Sequence, residues 1–303
     1  MGTSQVSLPI LLRREATRVP EGHSPTARRR ELGAVLRALR LEKGLTADQV
    51  AQHLMCSVTK VSRMETGQRA ATLRDVRDLC DLYGIADEAE RERMMTLARE
   101  ARQQAWWQAY DLPYETYVGL EAEAVTIKCF QSSVVPGLLQ TAGYAHAGHE
   151  GALPRLSDDE IERRTEARLK RQLLLTRPDP DPPALTAVLD EAVLHRAVGG
   201  ARVMAAQLEY LAESADLPSV TIQVIPFSVG AHPGVESNFN IVELPGETPD
   251  IVFAEGLVGS IYLQRDEDLA RYQTIFARLQ EVALSPESTV DLIAKFLRDY
   301  QKE

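Results

Sequence analysis

Cysteine is scarce in this sequence and long hydrophobic runs are missing, and both absences limit what the protein can be. Its three cysteines, Cys56, Cys80 and Cys129, are widely spaced and form no Cys-x-x-Cys pair. This spacing argues against a disulfide framework or a cysteine-based zinc site and favours a reducing compartment. No apolar stretch approaches the ~18–20 residues of a membrane-spanning helix. We therefore predict a soluble, cytoplasmic protein that does not contact a membrane.

Signatures of enzyme chemistry are also missing. The sequence contains no nucleophile elbow, no phosphate-binding Walker loop and no dinucleotide fingerprint. Acid–base candidates exist without them, namely Asp190, Glu191, His195 and His232. His146 and His149 could start a metal site, but Gly143 and Gly148 interrupt the segment and a third ligand cannot be named. We predict no catalytic activity, no cofactor and no bound metal.

The net charge of −10 hides an uneven distribution along the chain. Residues 1–80 contain 14 Lys and Arg against 8 Asp and Glu, a net charge of +6. Residues 81–303 contain 20 against 36, a net charge of −16. A basic part joined to an acidic remainder is typical of a protein in which only one domain touches a polyanion.

The pattern along the chain predicts three regions. Residues 1–25 contain three prolines and no periodicity, which indicates a disordered arm. Residues 26–102 are helical almost throughout, so they form an all-α domain. Residues 103–303 combine helices with runs of β-branched residues and form an α+β domain. The fold class is therefore α+β overall.

Within the α+β domain, the sequence predicts an antiparallel sheet. Glycine, proline, asparagine and aspartate separate most of the β-branched runs, as hairpin connections require. The predicted strands are Leu185–Leu189, Val220–Pro226, Phe239–Leu244, Asp250–Glu255 and Val258–Leu263. The predicted helices are Thr116–Gln131, Ser157–Thr176, Gly200–Asp216, Asp266–Leu284 and Pro286–Tyr300.

The most informative segment lies between Gly44 and Gly67. Thr46 and Gln49 form a capping box at the start of one helix, and Ser57 caps the next helix after a short turn. Small Ala51 stands where the two helices must cross, which defines helix-turn-helix geometry. The second helix turns outward a short polar face that suits a DNA major groove, formed by Val58, Thr59, Lys60, Ser62 and Arg63.

These residues resemble the XRE/Cro–phage-repressor family of helix-turn-helix proteins. The resemblance covers about residues 28–84 and implies five helices, with an ion pair between Arg40 and Glu65. It implies base contacts by Val58, Thr59 and Arg63, and phosphate contacts by Ser57, Lys60 and Arg69. The family usually has glycine at the turn position that Met55 occupies here, so we expect a left-handed backbone at this methionine.

The rest of the chain resembles the C-terminal domain of actinobacterial WhiJ-type regulators. The segments that carry this resemblance are Glu121–Ala145, Arg168–Gln172, Asp190–Arg196, Gln223–Phe227 and Ala283–Ser288. The resemblance implies a regulatory domain, often antitoxin-like, that is associated with a small BldB-type partner protein. It implies no particular ligand and no catalytic residue.

One candidate site in this domain has two interpretations. Arg168 and Arg171 stand three residues apart on a predicted helix and could form buried ion pairs with Asp190 or Glu191. Alternatively, a site for a ligand or a partner protein could be formed by Arg168, Arg171, Gln172 and Glu191.

Together these patterns predict a sequence-specific, double-stranded-DNA-binding transcriptional regulator. One recognition helix reads only a few base pairs, so we expect a homodimer on a pseudo-palindromic operator with half-sites about 10 base pairs apart or a multiple of that distance. The C-terminal domain would sense a partner protein or a small-molecule effector. The alternative is an antitoxin-like interaction module whose DNA binding serves only autoregulation.

Overall fold

Our computed structural model describes most of the chain as two compact units. The described residues are 24–152, 155–178, 181–246, 248–256 and 259–302. The helical unit runs from residue 24 to Val125 and includes Val242–Ile251, and the sheet unit contains Thr126–Ile241 and the chain from Val252 onward. Residues 1–23 of the predicted disordered arm lie outside the described residues. The domain boundary predicted after residue 102 stays a prediction, because a compact unit need not coincide with a unit that folds alone.

The helical unit begins with five consecutive α-helices, as predicted. They are α1 (Pro25–Glu42), α2 (Ala47–His53), α3 (Val58–Glu65), α4 (Leu73–Tyr83) and α5 (Glu88–Glu100). Each helix starts at a residue whose side-chain oxygen accepts a backbone N–H of the first turn, and these caps are Ser24, Thr46, Ser57, Thr72 and Asp87. Capping satisfies donors that a helix end otherwise leaves unpaired, so the sequence fixes where each helix starts.

Helices α1 and α3 approach each other closely at Gly33. A Cβ atom on this residue would lie 2.5 Å from the carbonyl oxygen of Met64 and 2.7 Å from that of Glu65. Only glycine permits this backbone contact, which places α3 directly against α1. The core beneath α3 is apolar and includes Leu36, Val50 and Val61.

A further helix, α6 (Glu115–Glu121), packs against the start of α1. It follows a 3-10 helix over Trp106–Tyr110. The Ser24 hydroxyl donates to the carbonyl oxygen of Gly119, and a Cβ on Gly119 would lie 2.5 Å from the Thr26 hydroxyl oxygen. The helical unit therefore extends beyond the five-helix region to include this aromatic-rich segment.

The sheet unit is built on a mixed six-stranded sheet in the order β3-β2-β1-β4-β5-β6. The strands are β1 (Thr126–Gln131), β2 (Ala184–Asp190), β3 (Val220–Ile225), β4 (Phe239–Glu243), β5 (Ile251–Gly256) and β6 (Gly259–Leu263). The helices are α7 (Ala142–Glu150), α8 (Asp158–Gln172), α9 (Ala192–His195), α10 (Ala201–Ser214), α11 (Asp266–Val282) and α12 (Pro286–Tyr300). One apolar core cluster contains Phe130, Val188, Ile241 and Phe276.

The prediction of a purely antiparallel sheet was wrong, because the sheet is mixed. β1, β2 and β3 pair in parallel, whereas β5 and β6 pair antiparallel. Helices α7 and α8 separate β1 from β2, and α9 and α10 separate β2 from β3. Helical crossovers are the connections that parallel strands require. The helix predicted over Gly200–Asp216 stood between two predicted strands and so favoured parallel pairing of that one pair, whereas the turn residues between the other strands suggested hairpins.

The helix predicted over Thr116–Gln131 was also partly wrong. Its first part is α6, but its second part is β1, a strand that lies between β2 and β4. The alternating buried residues Ile127 and Cys129 fit a strand. A strand surrounded by partners gains from tertiary pairing that a sequence window does not contain.

The helices in the described part of the chain include none that is both long enough and apolar enough to cross a membrane.

Candidate nucleic-acid interface

The turn between α2 and α3 has helix-turn-helix geometry. Ala51 is buried and its carbonyl oxygen accepts the N–H of Cys56, which closes the turn. Met55 has a φ of +48° and is 85% exposed. The left-handed backbone expected at this position is present, although methionine is strained there where glycine is not.

Helix α3 has one buried face and one exposed polar face. Val61 and Met64 point into the core of the helical unit. The predicted DNA-contact residues on its outer side are exposed: Ser57, Val58, Thr59, Ser62 and Arg63. Within the described residues, the side chains of Thr59, Ser62 and Arg63 make no hydrogen bond or ion pair with the protein. Their hydroxyl and guanidinium groups are therefore available to an external partner.

Ser57 and Arg69, two of the predicted phosphate contacts, stand at the two ends of this face. The Ser57 hydroxyl accepts the backbone N–H of Lys60 at 3.2 Å and so caps α3. Arg69 lies beyond the end of α3 with an exposed side chain, and its backbone N–H donates to the Arg63 carbonyl oxygen at 2.9 Å. The tight turn after α3 requires glycine at position 67, because Gly67 has a φ of +68° and a Cβ there would collide with Arg30.

Arg40 and Glu65 form a two-pronged ion pair. The Arg40 Nε donates to Oε1 of Glu65 at 2.7 Å, and Nη2 donates to Oε2 at 2.9 Å. Their side chains are only 12% and 8% exposed. The third guanidinium nitrogen, Nη1, donates to the carbonyl oxygen of Leu45 at 2.9 Å. Hydrogen bonding to Glu65 raises the pKa of Arg40 despite partial desolvation. This pair ties the end of α3 to α1 and to the start of the helix-turn-helix.

Lys60, predicted as a phosphate contact, has a partner inside the protein. Its Nζ donates to Oδ1 of Asp75 at 2.7 Å, and the two side chains are 22% and 10% exposed. Asp75 also accepts the backbone N–H of Thr72 as part of the capping box of α4. Burial acts to raise the pKa of the Asp75 carboxyl, but the hydrogen bonds from Lys60 and Thr72 outweigh it and hold this pKa below its ordinary value.

Sequence analysis missed both Gly33 and Asp75. The spacing of Thr72 and Asp75 matches a capping box and could have identified the carboxylate. Gly33 gives no local signal, because a glycine inside a helical pattern shows only that a close contact is possible, not which element makes it.

In the predicted second site, the residues on α8 and Glu191, which follows β2, have different hydrogen-bond partners. On α8, the Nη1 of Arg168 donates to Oε1 of Gln140 at 3.0 Å, and the Nε2 of Gln172 donates to the Gln140 carbonyl oxygen. Arg171 and Gln172 are buried. Glu191 instead accepts the backbone N–H of Phe227 at 2.7 Å and lies 3.2 Å from Nε2 of His195. The α8 residues belong to an internal polar network, while Glu191 binds beside the end of β2.

Asp190 binds a histidine rather than an arginine. Its Oδ2 lies 3.1 Å from Nε2 of His232, a side chain that is only 4% exposed, and its Oδ1 accepts the backbone N–H of Ala192. The backbone N–H of Gly234 donates to Nδ1 of His232 at 3.2 Å. With Nδ1 accepting, His232 must carry its proton on Nε2 and donate it to Asp190. Both ring nitrogens thus have partners, and His232 links the end of β2 to the loop that precedes β4.

In the part of the chain that the structure describes, no group of three or more histidine, cysteine, aspartate and glutamate side chains is placed to hold a metal ion.

Two family models match separate parts of the chain. Residues 31–94 match a family described as a helix-turn-helix domain. This match covers α2, α3 and the close approach at Gly33, and it indicates a DNA-binding regulator. Residues 114–295 match a domain of unknown function, DUF5753. Neither the curated proteins nor the solved structures gave a match to the chain. Because the second match covers more than half of the sequence, the chain belongs to the DUF5753 family and carries a helix-turn-helix domain ahead of that region.

Proposed function

We propose that the protein is a sequence-specific DNA-binding transcriptional regulator that reads the major groove with α3. The observation that carries this proposal is the exposed face of Thr59, Ser62 and Arg63, whose side chains have no partner within the described residues. Arginine can bind guanine with two hydrogen bonds, and hydroxyls can donate to or accept from base edges. The match of this region to helix-turn-helix domains supports the same function.

The local charge also supports DNA binding. Residues 1–80 carry a net charge of +6 in a chain with a net charge of −10. Electrostatic attraction to phosphates supplies much of the affinity of DNA-binding proteins, whereas an acidic surface is repelled by DNA. Recognition would therefore fall to the basic residues 1–80, which contain the helix-turn-helix, rather than to the acidic remainder of the chain.

We further propose that the protein acts as a homodimer on a pseudo-palindromic operator. A single α3 presents few base-contacting side chains, so one helical unit alone has limited affinity and reads a short sequence. Two units would double the contacts and set half-sites about 10 base pairs apart, or a multiple of that distance.

For the DUF5753 region we propose a regulatory role without catalytic activity, in which a small partner protein or a small-molecule effector changes DNA binding. The acidic character of the chain beyond residue 80 supports a surface that avoids DNA. The hydrogen bonds from Arg168 and Gln172 to Gln140 support a structural role for these two side chains. Co-purification of one small cognate protein would favour an antitoxin-like module, and release of operator DNA by a metabolite would favour an effector sensor.

The DNA-binding proposal is tested with the full chain and fluorescent duplexes. We expect Arg63→Ala to lose about 1–3 kcal/mol of binding free energy on the preferred sequence and to lose discrimination against a mutated site. Arg102→Ala is the matched control, because it removes another exposed arginine of the helical unit that lies outside α3. Equal losses on preferred and random DNA for Arg63→Ala would overturn the base-reading role.

A further inference from the structure

We propose that Lys60 is not a phosphate contact but one half of a clamp, and that Asp75 is a positioning residue of the DNA-reading face. This inference rests on the proposed function and adds a residue of α4 to it. The 2.7 Å ion pair between Lys60 and Asp75 would fix the rotation of α3 about its axis, so that its outer side chains face the base edges.

The position of Lys60 on α3 supports this role. Successive helical residues are rotated by about 100°, so Lys60 lies about 110° from the middle of the exposed face defined by Thr59, Ser62 and Arg63. It therefore stands on the flank of the helix and is only 22% exposed. A side chain on this flank lies against α4, where Asp75 belongs to the first turn.

The bonding of Asp75 explains why Lys60 would stay there. The Asp75 Oδ2 accepts the backbone N–H of Thr72 at 3.0 Å, and Oδ1 accepts from Lys60. If Lys60 left for a DNA phosphate, a 90% buried carboxylate would lose its cationic partner next to a polyanion. Both the desolvation of that carboxylate and its repulsion by phosphate oppose the exchange.

The opposite flank of α3 carries a similar ion pair of reversed polarity. Glu65 lies on that flank and binds Arg40 of α1. Helix α3 thus contributes a cation on one side and an anion on the other, and each is held by a neighbouring helix. Two ion pairs on opposite flanks resist rotation in both directions, which a single pair cannot do.

The two roles of Lys60 predict different salt dependences. A lysine that neutralises a phosphate releases counterions and adds about 0.9 to the magnitude of the slope of log K against log salt concentration. A lysine already paired with Asp75 adds nothing to that slope. Loss of a phosphate contact also weakens all sequences alike, whereas loss of positioning weakens the preferred sequence selectively.

The experiment measures binding of the full chain to its preferred duplex and to a random duplex over a range of salt concentrations. For Lys60→Met we expect an unchanged salt slope and about tenfold weaker binding to the preferred duplex only. For Asp75→Asn, which keeps an oxygen to cap α4, we expect a slope steeper by about 0.9 on both duplexes, since Lys60 is released. The double variant Lys60→Met/Asp75→Asn should return to the wild-type slope.

Asp78→Asn is the matched control. It removes the same charge from the same helix, but its partner Arg74 is already 78% exposed, so no cation is released. Lys60→Arg should retain the clamp and the discrimination of the wild type. A slope reduced by about 0.9 in Lys60→Met, with equal losses on both duplexes, would overturn the clamp while leaving the DNA-binding function intact. Absence of any duplex binding by the wild type at low salt would instead overturn the proposed function.

Discussion

The outer face of α3 and the strand ends of the sheet unit both display polar side chains, but these side chains have different partners. On α3, Thr59, Ser62 and Arg63 bind nothing within the described residues. In the sheet unit, Asp190 and Glu191 are bonded to side chains and backbone of the same unit. Polar groups that are satisfied internally stabilise a fold, whereas polar groups that the fold holds in place and leaves unsatisfied can bind another molecule.

The difference shows that the role of a polar residue in a sequence motif can be assigned only when its partners in the structure are known. The predicted ligand or partner site consisted of Arg168, Arg171, Gln172 and Glu191. Arg168 and Gln172 bind Gln140, whereas Glu191 accepts the backbone N–H of Phe227. Lys60 looked like a phosphate contact, yet it binds Asp75. Arg63 has the same charge as Lys60 and has no such partner in the part of the chain that the structure describes.

The largest effect on stability is expected when glycine is replaced by alanine at a crowded position of the helical unit, and an uncrowded position of the sheet unit serves as the comparison. Gly33→Ala should lower the free energy of unfolding by about 3 kcal/mol, because its Cβ would collide with backbone of α3 that cannot move without disturbing the core. Gly148→Ala on α7, where nothing lies within 4 Å, should raise it by up to about 1 kcal/mol. Chemical denaturation of both variants measures the two values. An unchanged stability of Gly33→Ala would contradict the close approach of α1 and α3.

Removing one charge from the Arg40–Glu65 pair should have the next largest effect. Glu65→Gln leaves a nearly buried guanidinium without its carboxylate, and we expect a loss of about 2 kcal/mol in the free energy of unfolding. The control Glu162→Gln, on the exposed side of α8, should change it by less than about 0.5 kcal/mol. Equal melting midpoints for the two variants would show that the pair contributes nothing to the helical unit.

The smallest of these effects concerns pH and belongs to the sheet unit. Burial, with added repulsion from Arg168 and Arg164, lowers the pKa of His149 from 6.5 to about 4. Between these pH values the unfolded chain binds a proton that the folded chain does not, so stability falls as the pH decreases from 6.5 towards 4. After allowance for partial solvent screening, we expect His149 to account for about 1 kcal/mol of this loss.

The measurement for this prediction is denaturation at several pH values. His149→Gln should flatten the decline between pH 6.5 and 4. His53→Gln, which changes an exposed histidine of the helical unit, should leave the decline as it is. If His149→Gln lost as much stability between pH 6.5 and 4 as the wild type, the loss would belong to other titrating groups.

Local patterns predicted the helical unit well. Thr46, Ser57 and the turn before α3 act over four or five residues, so their capping bonds are encoded in short stretches of sequence. The Arg40–Glu65 ion pair joins residues 25 positions apart, and a family resemblance rather than spacing implied it.

In the sheet unit, contacts between residues far apart in sequence limited what could be predicted from the sequence. Whether β1 and β2 pair in parallel depends on the chain between them, and β1 itself became a strand only because β2 and β4 flank it. The Asp190–His232 contact spans 42 residues and follows from the loop that ends at Gly234. No period or motif in the sequence contains this information.

The most direct test of the central claim is selection of duplexes by the full chain from a random library, followed by sequencing. The account predicts that the wild type enriches one motif with two related half-sites about 10 base pairs apart or a multiple of that distance, and that Arg63→Ala loses preference at a defined base in each half-site. Recovery of no motif by the wild type at low salt, or of the same motif with undiminished preference by Arg63→Ala, would contradict the claim that α3 reads DNA.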